Sequence, residues 1–222
     1  MDIMETVRSR HSVRAFTDRK IDPDTASILQ SLISKCNEES GLDFKLVLEE
    51  PNALDCFKSH LRKFSNAKNY VVLVGKKTDG LDEKVGYYGE KVVLKATELG
   101  LGTCWVVNTY SKKKCEYELK DNEKLVGIIA FGYSDTHGVP HDMKSVEELS
   151  RVYGDMPDWF RRGMEGARFA PTSFNQQKFL FTLDGNKVSA KAGIGIGTKI
   201  DLGIAKCHFD LCAGDGDWKW IN

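Results

Sequence analysis

Apolar residues along this chain recur with two different periods, and each period marks a different kind of element. Across GYYGEKVVLKATELGL at 86–101, Val92, Val93, Ala96 and Leu99 share one helical face, and Gly100 and Gly102 end the helix. IDPDTASILQSLISKC, starting at Ile21, opens another helix with Asp22 as N-cap and Pro23 at the first helical position. A short helix spans about Asp2 to Ser9. NALDCFKSHLRKF at 52–64, SVEELSRV at 145–152, DWFRRGMEGARF at 158–169 and KIDLGIAKCHFDLCAG at 199–214 also read as helices. Alternation predicts strands at FKLVL, 44–48, and at KFLFTL, 178–183, which the turn DGN joins to a hairpin partner KVSAKAGIG. NYVVLVGK at 69–76 is a buried strand, and TCWVVN at 103–108 and KLVGIIAFGYS at 124–134 start two more. HSVRAF at 11–16 reads as extended, and DTHGVPHDMK at 135–144 as a polar loop.

The order of elements then restarts. FKLVL at 44–48 aligns with FLFTL at 179–183, each behind a helix at matching distance. Aligning Gly89 with Gly203 lays YYGEKVVLKATELGLGTCW on DLGIAKCHFDLCAGDGDW, two helices that both end in a glycine turn followed by tryptophan. This reads as a degenerate internal duplication, a longer half at 1–150 and a shorter half at 151–222. No Pro/Gly/Ser linker separates the halves, so the expectation is one α+β domain over 1–222 with helices packed on an antiparallel sheet.

Charge narrows the function. Thirty-two Lys and Arg balance thirty-two Asp and Glu, which argues against a dedicated nucleic-acid binder. The run KKK at 112–114 is followed by Glu116, Glu118 and Asp121 and reads as a mixed solvated face. No segment approaches the roughly 18 consecutive apolar residues of a membrane span. MDIMETVRSR carries no apolar signal core, and a cytoplasmic protein is expected. The six cysteines, at 36, 56, 104, 115, 207 and 212, form no C-x-x-C pair, and reduced, mostly buried thiols are the expectation. Cys207, His208 and Cys212 raise a metal reading, but no fourth ligand or second cluster accompanies them, so no metal is expected.

Candidate chemistry concentrates in RSRHSVRAF at 8–16. A solvated basic turn would explain the composition. In an extended chain, however, Arg10, Ser12 and Arg14 share one side over roughly 13 Å, while Val13, Ala15 and Phe16 anchor the segment to the core. Arginine forks bind phosphate oxygens and a serine hydroxyl donates to phosphate or sugar oxygens, so this sidedness points to an anion site.

R-x-S-x-R-x-F after a short N-terminal helix resembles the opening motif of the FMN-dependent nitroreductase family. APTSFNQQ at 170–177 is similar to that family's A-P-S-x-x-N-x-Q, with Thr for Ser, and GLGTCW at 100–105 to its G-L-G-[ST] turn. The resemblance implies a three-layer α+β fold, an antiparallel-rich central sheet flanked by helices. It implies that Arg10, Ser12 and Arg14 hold the FMN phosphate and ribityl chain, with His11 contributing backbone or side chain. Gly100, Leu101, Gly102 and Thr103 would bring backbone amides to the flavin ring. Pro171, Thr172, Ser173 and Asn175 would pack against or hydrogen-bond it. Gln177 would contact the ring or support its own loop, and Lys144 stands where the family often places a basic phosphate partner.

One departure matters. Typical members carry A-P-S-x-x-N-x-Q after the first long helix, where this chain reads KCNEESGLDF at 35–44. Typical members are homodimers that supply this loop in trans. The displaced motif resembles the permuted, thermophile-type branch and implies a fused pseudo-dimer with a complete site in one chain; a homodimer exchanging the loop is the competing assembly. The implied activity is ping-pong hydride transfer from NADH or NADPH through flavin N5 to a small-molecule acceptor, a nitroaromatic, a quinone or another, with no catalytic side chain. Alternatives are a flavin-binding module without turnover, an interaction protein with a decayed site, or other flavin chemistry such as reductive dehalogenation. AGIGIG at 192–197 is not G-x-G-x-x-G after a strand and does not read as a dinucleotide site.

Overall fold

The computed structural model describes residues 2–221, and the chain divides into two units. One comprises Ser9–Leu81 and Lys91–Pro140, and the other Met1–Arg8, Asp82–Glu90 and His141–Asn222.

Helix α1 (Ile3–Ser9) belongs almost wholly to the second unit. In the first unit, α2 (Pro23–Ser40) buries Leu29, Ile33 and Cys36, one helical stripe. Asp22 is its N-cap in backbone terms, yet its carboxylate does not cap the helix. It accepts instead from Arg19 at 2.7 Å and from the Tyr133 hydroxyl at 2.6 Å. Gly41, at φ 69, ends α2, and Asn37 clamps the backbone of Phe44 with both ends of its amide. The strands are β1 (Lys45–Val47), β2 (Asn69–Lys76), β3 (Gly102–Val106) and β4 (Glu123–Gly132). They form an antiparallel sheet in the order β1-β2-β4-β3. Its core gathers Val72, Val74, Val106, Leu125 and Ile128 with Val13 and Phe16 from the N-terminal segment.

Two expectations change here. The helix read over 52–64 shrinks to α3 (Phe57–Leu61), whose Phe57 and Leu61 stand exposed while Ser59 is buried. The helix read from residue 86 begins earlier, as α4 (Leu81–Glu98).

The second unit holds α5 (Val146–Leu149), β5 (Ser150–Tyr153), α6 (Asp158–Arg168), β6 (Phe179–Asp184), β7 (Lys187–Ala192), α7 (Thr198–Ala213) and β8 (Lys219–Trp220). SVEELSRV is therefore half helix and half strand: a Ser145–Glu148 capping box starts α5, and Ser150 begins pairing with β6. The sheet order is β5-β6-β7-β8, an antiparallel hairpin flanked by two parallel additions. The single central sheet expected from the resemblance is corrected to two four-stranded sheets, because β5 and β8 complete the β6–β7 hairpin instead of joining the first sheet.

Helices α6 and α7 meet at glycines. A Cβ on Gly163 would come to 2.6 Å of the Phe209 ring, and one on Gly166 to 2.9 Å of the His208 carbonyl. Helix α7 also crosses the first half of α4 backbone to backbone, where a Cβ on Gly86 would overlap the Ile200 carbonyl and one on Gly203 the Glu83 carbonyl. Trp159 stacks on Trp218 at 5.5 Å, and Trp218 and Trp220 both pack on Phe209, so three of the four tryptophans are packing residues. Among the described residues no helix is long and apolar enough to cross a membrane.

Candidate functional site

Most candidate residues lie on two segments, each within its own unit. In the first unit the chain after α1 runs extended and bridges to its neighbours at Ser12–Thr103 and Ala15–Ser65. The Val13 amide donates to the Thr103 carbonyl at 2.8 Å, and the Ser65 amide to the Arg14 carbonyl at 3.0 Å. Val13 and Phe16 are buried as expected, but Ala15 is exposed, because the two bridges lie three residues apart and break strict alternation.

Arg10 is 4% exposed, Ser12 half-buried and Arg14 exposed. The buried Cys104 thiol hydrogen-bonds Ser12 and lies within electrostatic reach of both arginines. Burial pushes this thiol's pKa up, while the Arg14 and Arg10 charges and a hydrogen bond with Ser12 oppose the shift. Among the described residues Arg14 makes no ion pair.

The 135–140 loop lies against the same segment. A Cβ on Gly138, at φ +76, would come to 2.7 Å of the His11 Cβ and 3.1 Å of the Ser12 carbonyl. The glycine turn after α4 is shaped by its own chain. The Gly100 amide donates to Thr97 and the Leu101 amide to Ala96, so both are used in ending the helix. Gly100 needs glycine for its φ of +78, and Gly102 because a Cβ would meet Val13 at 2.9 Å. Thr103 is buried and its carbonyl takes the Val13 amide.

In the second unit APTSFNQQ follows α6 as a tight loop. Phe174, Asn175 and Gln177 have φ of 55°, 54° and 46°, a left-handed region that non-glycine residues adopt only when their surroundings hold them. Polar groups do the holding. Gln177 is buried, donates to the Asp142 carbonyl and the Asn175 side chain, and accepts from the Lys144 amide at 2.8 Å. Asn175 donates to the same Asp142 carbonyl at 3.0 Å, and the Thr172 hydroxyl accepts from the Gln177 amide. The Lys144 ammonium reaches the carbonyls of Gln177 and Gln176 at 3.2 and 3.4 Å. The polar groups of exposed Asn175, buried Gln177 and half-buried Lys144 thus bond within the loop and its neighbours, while Phe174 is 68% exposed and Pro171 and Thr172 are half-buried.

The stretch after β7 interlocks with this loop. Gln176 donates to the Ile196 carbonyl and Lys178 to the Ile194 carbonyl. Gly197 sits where a Cβ would come to 2.5 Å of the Ser173 hydroxyl, so GIGIG serves this contact.

The sequence reading missed Asp201, whose carboxylate takes both the amide and the hydroxyl of Ser173 at 3.0 and 3.1 Å. Its signal was a lone acid between Ile200 and Leu202 in an apolar run. Burial pushes Asp201 up to about 6, against the opposing pull of the two Ser173 contacts. His208 bonds Glu90 and the Gly166 carbonyl through its two ring nitrogens.

Three solved structures share the fold. A protein titled a putative nitroreductase, from Thermotoga maritima, is 24% identical with a TM-score of 0.67, over 96% of this chain and 83% of that one. A nitroreductase family protein from Streptococcus pneumoniae is 18% identical with a TM-score of 0.54, over 67% of this chain and 98% of that one. A Clostridium difficile protein titled an FMN-dependent nitroreductase is 20% identical with a TM-score of 0.50, over 62% and 90%. No curated protein matches the chain. The family described as "Putative TM nitroreductase" matches residues 2–213, nearly the whole sequence, and the chain belongs to this nitroreductase family.

Proposed function

We propose that this chain is an FMN-dependent NAD(P)H oxidoreductase that reduces a small acceptor such as a nitroaromatic or a quinone. The observation that carries the reading is the extended segment from Arg10 to Arg14, pinned at its middle by the Ser12–Thr103 bridge, with two arginines four residues apart and Arg14 exposed. Two guanidiniums this near in the chain repel each other when brought together, and a bound phosphate converts that repulsion into attraction. The residues therefore fit the phosphate end of the cofactor. The FMN dependence of the Clostridium difficile neighbour supports the same choice.

When bound, FMN supplies hydride acceptance from NADH or NADPH and electron delivery to the acceptor. In this reading Arg10 and Arg14 bind the phosphate, Ser12 donates to it, and His11 lies beside it. Pro171, Thr172 and Ser173 face the ring system, and Asn175, Gln177 and Lys144 keep their loop in shape for it. Hydride transfer needs no acid or base from the protein, so no side chain is assigned a catalytic role. One chain supplies both segments, as the displaced motif implies.

Purification tests the reading directly. The expected protein is yellow, releases FMN on denaturation and bleaches when NADH or NADPH is added without oxygen. A yellow protein that neither nucleotide bleaches would be a binding module, and a colourless protein that takes up no FMN overturns the proposal.

A further inference from the structure

We propose that Asp201 is a positioning residue for the 170–177 loop, and that its protonation state sets how firmly the loop holds its cofactor. This rests on the flavin reading above. Asp201 is 2% exposed and stands in the first turn of α7. Its Oδ1 accepts from the Ser173 amide at 3.0 Å and the Ser173 hydroxyl at 3.1 Å. Its Oδ2 is buried and has no hydrogen-bond partner among the described residues.

No charged side chain acts on Asp201; only burial and Ser173 do. The charged and titratable groups of the surrounding elements are engaged elsewhere. On α4, Glu83 pairs with Lys206 and Tyr87 bonds Asp210. On α6, Glu165 pairs with Arg168. Lys178 and Lys144 rest on backbone carbonyls. Among the described residues, the hydrogen-bond partner of the Asp201 carboxylate is Ser173 of the loop.

The two protonation states do different things. The ionised carboxylate offers Ser173 two charge-assisted hydrogen bonds, roughly twice as strong as those to a neutral acid. The helix N-terminus also favours the anion. Burial favours the neutral acid, with the proton on the unpartnered Oδ2. Raising the pH through the midpoint, about 6, therefore tightens the grip on Ser173 while weakening the fold as a whole. A residue with a purely structural role would move loop and fold in the same direction. Opposite pH trends are the signature of this one.

The test follows the Ser173 amide by NMR in the cofactor-free protein, and the FMN dissociation constant, each from pH 5 to 8. The amide is expected to titrate with a midpoint near 6 and FMN to bind about three- to tenfold more tightly at the upper end. In Asp201→Asn, which keeps the accepting oxygen, both are expected to be flat at the wild-type low-pH value. Ser173→Ala, which keeps the amide donor, is expected to retain the direction of the affinity change at reduced size. An amide that does not titrate, or an Asp201→Asn protein with the wild-type pH dependence, overturns the proposal. Failure to bind FMN at every pH while the amide still titrates overturns the flavin reading, and with it the coupling, but not the Ser173 contact.

Discussion

The His208 imidazole on α7 lies 2.8 Å from the Glu90 carboxylate on α4, and neither side chain is exposed. The other ring nitrogen, Nδ1, lies 3.1 Å from the Gly166 carbonyl, which can only accept, so Nδ1 carries a proton. The Nε2 contact ties the ring to the Glu90 carboxylate in the buried core. Glu90→Ala strips a buried partner and is expected to lose about 3–5 kcal/mol of stability. Glu90→Gln keeps a hydrogen-bonding side chain opposite Nε2 and is expected to lose under about 1.5 kcal/mol. Urea unfolding at neutral pH compares them; equal losses would show that packing, not the pair, matters.

Gly203 faces the Glu83 carbonyl and Gly86 the Ile200 carbonyl at the crossing of α4 and α7. Alanine is the better helix former by about 1 kcal/mol, but here its methyl group meets backbone that cannot turn aside. Gly203→Ala is expected to lower stability by about 1–3 kcal/mol or more despite that propensity gain. The double variant with Gly86→Ala should lose less than the sum, because the first substitution already parts the helices. A neutral or stabilising Gly203→Ala would contradict the crossing.

Arg14 is exposed, so its removal tests phosphate binding without disturbing the core. Arg14→Ala is expected to keep its melting temperature and bind FMN about ten- to a hundredfold more weakly. Unchanged FMN affinity would remove Arg14 from the site. Arg10→Ala is the less informative variant, since Arg10 is buried and its loss would also perturb the fold.

Asp201 titrates higher in the folded protein than its ordinary value of 3.8, at about 6. A raised folded pKa contributes stability that is fully present below about pH 4 and lost as the pH rises through about 6. From pH 5 to 8, Asp201→Asn should therefore gain on the wild type by about 1.4 kcal/mol in urea unfolding. A constant difference across that range would mean that Asp201 is not neutral when buried.

Mixing Arg14→Ala chains with Asn175→Ala chains tests assembly. A site completed within one chain leaves the mixture as poor in FMN as either parent. Recovery of FMN sites in the mixture, measured by bound-flavin absorbance, would show that the loop is exchanged between chains.

The helices α2, α6 and α7 and the strands β2 and β4 were legible because their apolar spacing answers to burial of the same chain segment. Elements that depend on distant partners were not. Leu54, Phe57, Leu61 and Phe64 are spaced like a helix face, yet only Leu54 and Phe64 are buried. β5 hides in a helical pattern because its pairing partner lies about thirty residues on, at Phe181. The motif residues did not show in the sequence which way they turn. Asn175 and Gln177 look like ligand contacts in the sequence and spend their amides on Asp142, Lys144 and each other.

The left-handed residues Phe174, Asn175 and Gln177 bear on how the protein is made. Each conformation lies about 1–2 kcal/mol above the right-handed one, so the isolated segment does not adopt this loop. Its supports are remote: the Asp142 carbonyl stands 33 residues before Asn175, and Asp201 follows Ser173 by 28. On the ribosome, Asp201 and the rest of α7 emerge after the loop has already been exposed. The loop therefore takes its shape only once α7 has been released, and a chain truncated before α7 carries the APTSFNQQ sequence without this conformation.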